Sequence, residues 1–289
     1  MTSTTHHSNI DTTNLSLTVE KSKSGKDQVK LRNPKTSMPL TAELDGFQIL
    51  WESASGDGTL GRFNITDPRH ANLTMTLCEG LTPSQLAGDE YAEYMKKAFV
   101  KQASSIKFLR DVASKTFLWM GANGMIDHKV DEATEMAQKL FPKDKKKQQS
   151  YIDDVVIRGG TMPLGTDKET GYTTIKSKKR LCRWAPEGEE AERDSVAVYV
   201  YDGVRHTKTD EPLNRGDWVN LTAVINPWVT PSAYGVTLNI KSVQLIRKGP
   251  AYSSVAPMSV PDLPPLPCPK AATTGAASDE PAAKRIKSQ

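Results

Sequence analysis

Two kinds of side chain crowd together late in the chain in a pattern suited to a polyanion. Lys176, Lys178, Lys179, Arg180 and Arg183 lie in one short stretch that ends at the indole of Trp184; Tyr199, Tyr201 and Trp218 follow, and Lys241 comes later. Cations neutralise phosphates, and an aromatic face stacks on any base for about 1–3 kcal/mol. A groove lined in both ways takes single-stranded nucleic acid without reading a motif. The competing reading is packing: the same rings would then cover the far side of a sheet against helices.

The elements that must position these groups are strands. Val196, Val198 and Val200 alternate with Tyr199 and Tyr201, so a strand here sends the valines to one face and the tyrosines to the other. From Trp218 to Asn226, Val219, Leu221, Ala223 and Ile225 fall on one side, with Trp218, Asn220, Thr222 and Val224 on the other. Val236, Leu238 and Ile240 repeat the pattern; Lys241 and Ser242 shift its phase, which predicts a bulge before Val243 and Leu245 resume it. Three such strands predict a small barrel.

The rest of the chain divides around that core. Residues 1–40 carry Lys21, Lys23, Lys26, Lys30, Arg32 and Lys35 without periodicity and read as a flexible basic arm. Phe47–Trp51, Leu60–Thr66 and Asn72–Leu77 read as short strands around the Gly56 and Gly58 turn, with Trp51 and Phe63 better placed in the core than as stacking groups. A helical insertion is predicted over about 83–141. Thr82, Pro83 and Gln85 mark its start, an apolar stripe from Tyr91 to Met120 is interrupted near Gln102, and Asp131–Phe141 forms a second helix. Lys96, Lys97, Lys101, Lys107 and Arg110 form a charged side, read as solvated. Lys143–Lys147 reads as a surface loop, Tyr151–Ile157 and Gly171–Lys176 as strands, and Gly159–Gly160 as a turn. Residues 249–289 form a proline-rich, disordered tail in which Lys284, Arg285 and Lys287 make a nuclear-import-like signal.

Composition sets outer limits. The chain has 289 residues, 37% hydrophobic and 25% charged, with a net charge of +4, which permits a polyanion partner without demanding one. Cys78, Cys182 and Cys268 are far apart and no histidine stands at metal spacing, so neither a disulfide framework nor a metal centre is expected, and a reducing compartment is. No apolar run approaches the roughly 18 residues of a membrane span, which points to a soluble intracellular protein. No phosphate-cradling glycine loop or nucleophile elbow is present. Asp153 and Asp154, read as strand neighbours, would point to opposite faces and share no site. The expectation is a protein that is not an enzyme and takes no cofactor.

A strand at Gly216 and Asp217, then Tyr234-Gly235-Val236 leading into a last strand that ends Ser242 to Ile246, resembles the closing part of an OB-fold. Over residues 150–247 it is similar to the OB-fold single-stranded DNA-binding proteins of large double-stranded DNA viruses and phages. That resemblance implies an α+β fold with an OB-like barrel over 41–248, elaborated by the helical insertion. It also implies strand coating in replication, recombination or repair, with single-stranded DNA as partner and no cofactor. Phage members end in a strongly acidic tail that contacts replication partners; here Asp279 and Glu280 are the tail's last acids and its end is basic. Tail-mediated contact with a polymerase is therefore not carried over, replication proteins stay open as partners, and the basic end suits a virus or host that replicates DNA in a nucleus. RNA is an alternative partner, a virion or chromatin scaffold an alternative role, and self-association is open.

Overall fold

A computed structural model describes residues 12–21, 25, 27–55, 72–78, 90–168, 170–180, 196–201, 205–209 and 213–248. Among these residues ten strands and three α-helices follow in chain order: β1 Ser16–Lys21, β2 Asp27–Arg32, β3 Thr41–Ser55, β4 Asn72–Cys78, α1 Glu90–Ala122, α2 Asp127–Leu140, α3 Lys145–Gly159, β5 Leu164–Thr166, β6 Thr173–Arg180, β7 Ala197–Tyr201, β8 His206–Thr209, β9 Trp218–Val229 and β10 Tyr234–Arg247. Eight strands form one sheet in the order β5-β6-β4-β3-β9-β10-β7-β8, and a parallel contact between β6 and β10 joins two of its members again. That contact closes a five-stranded ring, β6-β4-β3-β9-β10. The fold is α+β, an OB-like barrel with a helical insertion.

The ring fills because alternate residues turn inward. Leu44, Phe47, Ile49, Met75, Leu77, Ile175, Leu221, Ala223, Val236 and Leu238 are all buried in one cluster. Strand β3 must bend to serve two neighbours, and it does so at Gly46, whose φ of 69° is open to glycine at little steric cost. Its register against β9 slips there between Leu44 and Phe47. On β10 the register against β9 slips between Ile240 and Ser242, the bulge that the phase shift at Lys241 predicts.

Helix α1 lays the expected stripe on this core: Ile106, Leu109, Val112, Ala113, Phe117 and Met120 are buried. The interruption at Gln102 has a cause. Its side chain is buried and its Nε2 donates to the carbonyl of Gly46, satisfying a backbone group that the β3 bend exposes. The helix start expected at Thr82 to Gln85, the strand Leu60–Thr66 with Phe63, and the side chain of Trp51 lie outside the described residues.

Two expectations are corrected. Tyr151–Ile157 belongs to α3, not a strand, and Lys145–Lys147 form its first turn instead of a loop. Val155, Val156 and Ile157 are β-branched and read as strand, but Gln148, Ile152 and Val156 recur every four residues and turn one face inward. Asp144 caps the helix, accepting from the Lys147 N–H at 3.0 Å. The insertion thus runs to Gly159, beyond the expected 141. Asp153 and Asp154 become helix neighbours, Asp153 accepting from Gln149 and Asp154 pairing with Arg158.

The second correction concerns the arm. Residues 16–21 and 27–32 pair antiparallel, β1 with β2, and Val29 and Leu31 are buried against the barrel. Two of its expected loose cations are paired within it: Arg32 with Glu20 at 2.8 Å and Lys21 with Asp27 at 2.6 Å. Two apolar residues on each strand, alternating with polar and charged ones, give little signal, and packing decides it. Residues 1–11 and the tail 249–289 lie outside the described residues.

Gly159 and Gly160 end α3 where it meets the barrel. The Tyr234 hydroxyl donates to the Val156 carbonyl at 2.6 Å, and the Tyr234 ring meets Phe117 edge-on at 5.4 Å. Burial pushes the Tyr234 phenol's pKa up, so it stays a donor. A Cβ on Gly160 would overlap the Phe117 ring. Gly160→Ala is therefore expected to cost about 1–3 kcal/mol by overpacking, read as a lowered midpoint in urea with unchanged slope.

The cap gives a pH-dependent prediction. The Lys147 backbone N–H is the main cause holding the Asp144 carboxyl below the usual carboxylate range. A folded-state value below the unfolded one means stabilisation present above the ordinary carboxylate pKa and lost as pH falls through the lowered value. The protection factor of the Lys147 amide, its exchange relative to an unfolded chain at the same pH, should fall on acidification in the wild type and be low at every pH in Asp144→Ala.

Candidate nucleic-acid interface

Strand β10 organises the site because two strands share one of its edges. Ser177 and Lys178 of β6 lie opposite Leu238 and Asn239, and Ala197 to Val200 of β7 lie opposite Ser242 to Leu245, both in parallel. Exposed Lys241 sits in the bulge between these two pairings. The outward side of β6 therefore adjoins the outward side of β7 across a short length of β10.

Alternation sorts the cations. Ile175 and Ser177 are buried, whereas Lys176, Lys178 and Arg180 are exposed on the opposite face, where their partners on β4 are Thr76, Thr74 and Asn72. Lys179 is half-buried and has the inward parity of Ser177, so it does not join this row.

Alternation also sorts the rings. Val196 and Val198 are buried, while Tyr199 and Tyr201 are half-buried on the other face of β7. One ladder row runs Lys208, Tyr199, Gln244, Asn220 over four strands. The Tyr201 and His206 rings meet at 5.0 Å, tilted by 40°. Lys208, His206, Asn220 and Gln244 are contributors that the sequence did not single out. Strand β8 has only four residues, and the two amides read as ordinary outward positions.

Next to this row an open cleft of about 400 Å³ runs from Tyr199 and His206 over Gln244, Asn220 and Thr222 to Glu43 and Asp45. Its floor is fixed by hydrogen bonds. Asn220 accepts from the Gly46 N–H at 2.7 Å and donates through Nδ2 to Gln244 Oε1 at 3.1 Å. Lys101 of α1 pairs with Asp45 at 2.9 Å at the far wall. Positive charge therefore lies along β6, at Lys241 and at Lys208, while carboxylates close the other end.

Trp218 corrects the sequence reading. By parity it falls with Asn220 and Thr222, but it starts β9, where Gln48 and Arg247 flank it on the ladder and all three are buried. With no exposed surface the indole offers no stacking face. Parity reports a face of the strand, and at this end of β9 that face is covered. Arg183, Trp184, Lys284, Arg285 and Lys287 lie outside the described residues.

No family model matches this chain, and no curated protein matches it. In its overall path the chain is similar to single-stranded DNA-binding proteins of bacteriophages. The gp2.5 single-stranded DNA-binding protein encoded by bacteriophage T7 shares 14% identity over 75% of this chain and 91% of its own, with a TM-score of 0.37. The single-stranded DNA-binding protein from bacteriophage Enc34 shares 10% over 82% of this chain and 94% of its own, with a TM-score of 0.33. Its complex with single-stranded DNA gives 9% identity, coverages of 81% and 98%, and a TM-score of 0.33. At this level of overlap the site must be understood from the present chain's own side chains.

Proposed function

We propose that this chain binds single-stranded DNA without requiring a sequence motif, as a coat on exposed strands and not as an enzyme. The observation that carries the reading is the placement of Tyr199 and Tyr201, half-exposed on the outward face of β7, on the same β10 edge as the exposed row Lys176, Lys178 and Arg180. Phosphates follow the cations, and bases turn to the rings. Arg183 and Trp184 extend this proposal by their place in sequence after Arg180. Among the described residues no helix is long and apolar enough to cross a membrane. Service in replication, recombination or repair, and nuclear entry through Lys284, Arg285 and Lys287, belong to the same proposal.

The test is fluorescence anisotropy of labelled oligo-dT, oligo-rU and duplex DNA of equal length at two salt concentrations. Tight, salt-sensitive binding of oligo-dT with weaker duplex binding supports the reading. Tighter binding of oligo-rU would move the assignment to RNA, and equal weak binding of all three would leave a scaffold with incidental affinity.

A further inference from the structure

Strand β9 alternates without a break: its inward residues from Val219 to Pro227 are buried, and its outward ones from Asn220 to Trp228 are half-buried. Asn220 stands in the ladder row of Tyr199, so Trp228 lies on the same outward face as that ring, about 27 Å further along the strand. Its indole is set against the usual rule. A tryptophan that only packs at a surface turns its carbon body inward and leaves the N–H to water. Here Nε1 is enclosed and has no hydrogen-bond partner among the described residues, so the side-chain surface left to solvent is ring carbon. Cε2 and Cζ2 lie over Gly235, the residue opposite on β10, where a Cβ would overlap them. The ring thus rests on bare backbone, which holds it in place on the sheet.

Resting on the single-stranded DNA reading, we infer that Trp228 is a second base-stacking platform, and that the strand runs from the Tyr199 ring to the Trp228 ring along the outward face of β9 and β10. Charge selects the β10 side of that face. Between the two rings the outward rows of β9 and β10 carry no carboxylate, Lys241 rises from the bulge, and Lys178 of β6 joins opposite Asn239. Glu43 and Asp45 lie on β3, which pairs with the other edge of β9. Phosphates therefore follow Lys241 and Lys178, away from the carboxylates, while bases turn onto the rings at either end. A run of this length accommodates a site within the range of about 4–16 nucleotides that an OB-fold covers.

The experiment uses the full chain and labelled oligo-dT in lengths from about 4 to about 16 nucleotides, the range of OB-fold sites. Trp228→Leu keeps apolar bulk and removes the π-face; Trp228→Phe keeps a π-face. The leucine variant is expected to bind the longest oligomer about tenfold more weakly and the shortest within about twofold of wild type, because a short strand still seats at Tyr199. Trp228→Phe should restore most of the loss. Wild-type affinity of Trp228→Leu at every length, or an equal loss at every length that phenylalanine does not restore, would overturn the platform and leave the single-stranded DNA reading standing. Failure of the wild type to bind any oligomer would remove both. Ultraviolet crosslinking of wild type to the longest oligo-dT, read by mass spectrometry of the peptides, decides the matter even if neither variant folds. An adduct on Trp228 supports the platform, and adducts confined to other peptides overturn it.

Discussion

Trp218→Ala is expected to lower stability by about 3–5 kcal/mol, whereas Tyr199→Ala leaves the fold intact and weakens binding of single-stranded DNA about 10- to 100-fold. The two rings have the same strand parity in the sequence and opposite fates in the fold. Trp218 is among the largest fully buried side chains, so its removal opens a cavity that Gln48 and Arg247, held in the ladder, cannot fill. Against a total stability of about 5–15 kcal/mol such a loss is severe. Tyr199 is half-buried on an open face, and truncating it removes a stacking surface with little core volume. Thermal melts and anisotropy on both variants check the contrast. A Tyr199→Ala protein that melts as low as Trp218→Ala, with normal affinity per folded molecule, would turn the tyrosine face into packing.

The second large effect is electrostatic. Replacing Lys176, Lys178 and Arg180 together by glutamine should lower the slope of log affinity against log salt by about 2, since each phosphate contact on a single strand contributes about 0.7. At about 0.1 M salt the same three contacts correspond to a loss of about 100-fold. Lys179→Gln, on the inward parity of the same strand, should change the slope little. Equal slopes in the wild type and the triple variant would place the phosphate path elsewhere. Because these side chains stand on the solvent face, melting should shift only slightly.

Much of the architecture was legible because the barrel strands alternate cleanly. Val196, Val198, Leu221, Ala223, Val236 and Leu238 all turn inward as their spacing requires, and the bulge at Lys241 shows as a broken phase. Helix α3 was hidden by β-branched residues whose strand preference yields to the Asp144 cap and to contacts four residues apart. The N-terminal hairpin was hidden because its apolar alternation is short on each strand, Leu17 and Val19 on β1 with Val19 exposed, and Val29 and Leu31 on β2. For the interface, parity found the exposed row on β6 and the two tyrosines. It failed at Trp218 because parity reports a face and not what covers that face. Gln244 and Asn220 were missed for a related reason: each looks unremarkable alone, and only the register of β10 against β9 brings them together.

The shared edge of β10 has a consequence for how this protein can vary. The β6 pairing reaches Asn239 and the β7 pairing starts at Ser242, so the chain that departs after Arg180 and comes back at Ala197 is anchored at two neighbouring points of one rigid strand. The ladder, not the connection, fixes the gap between those points. Loop-closure entropy rises only logarithmically with length, so doubling such a connection costs about 0.6 kcal/mol. This position is therefore a port for insertions, where the connecting segment can change in length while the barrel beneath keeps its register.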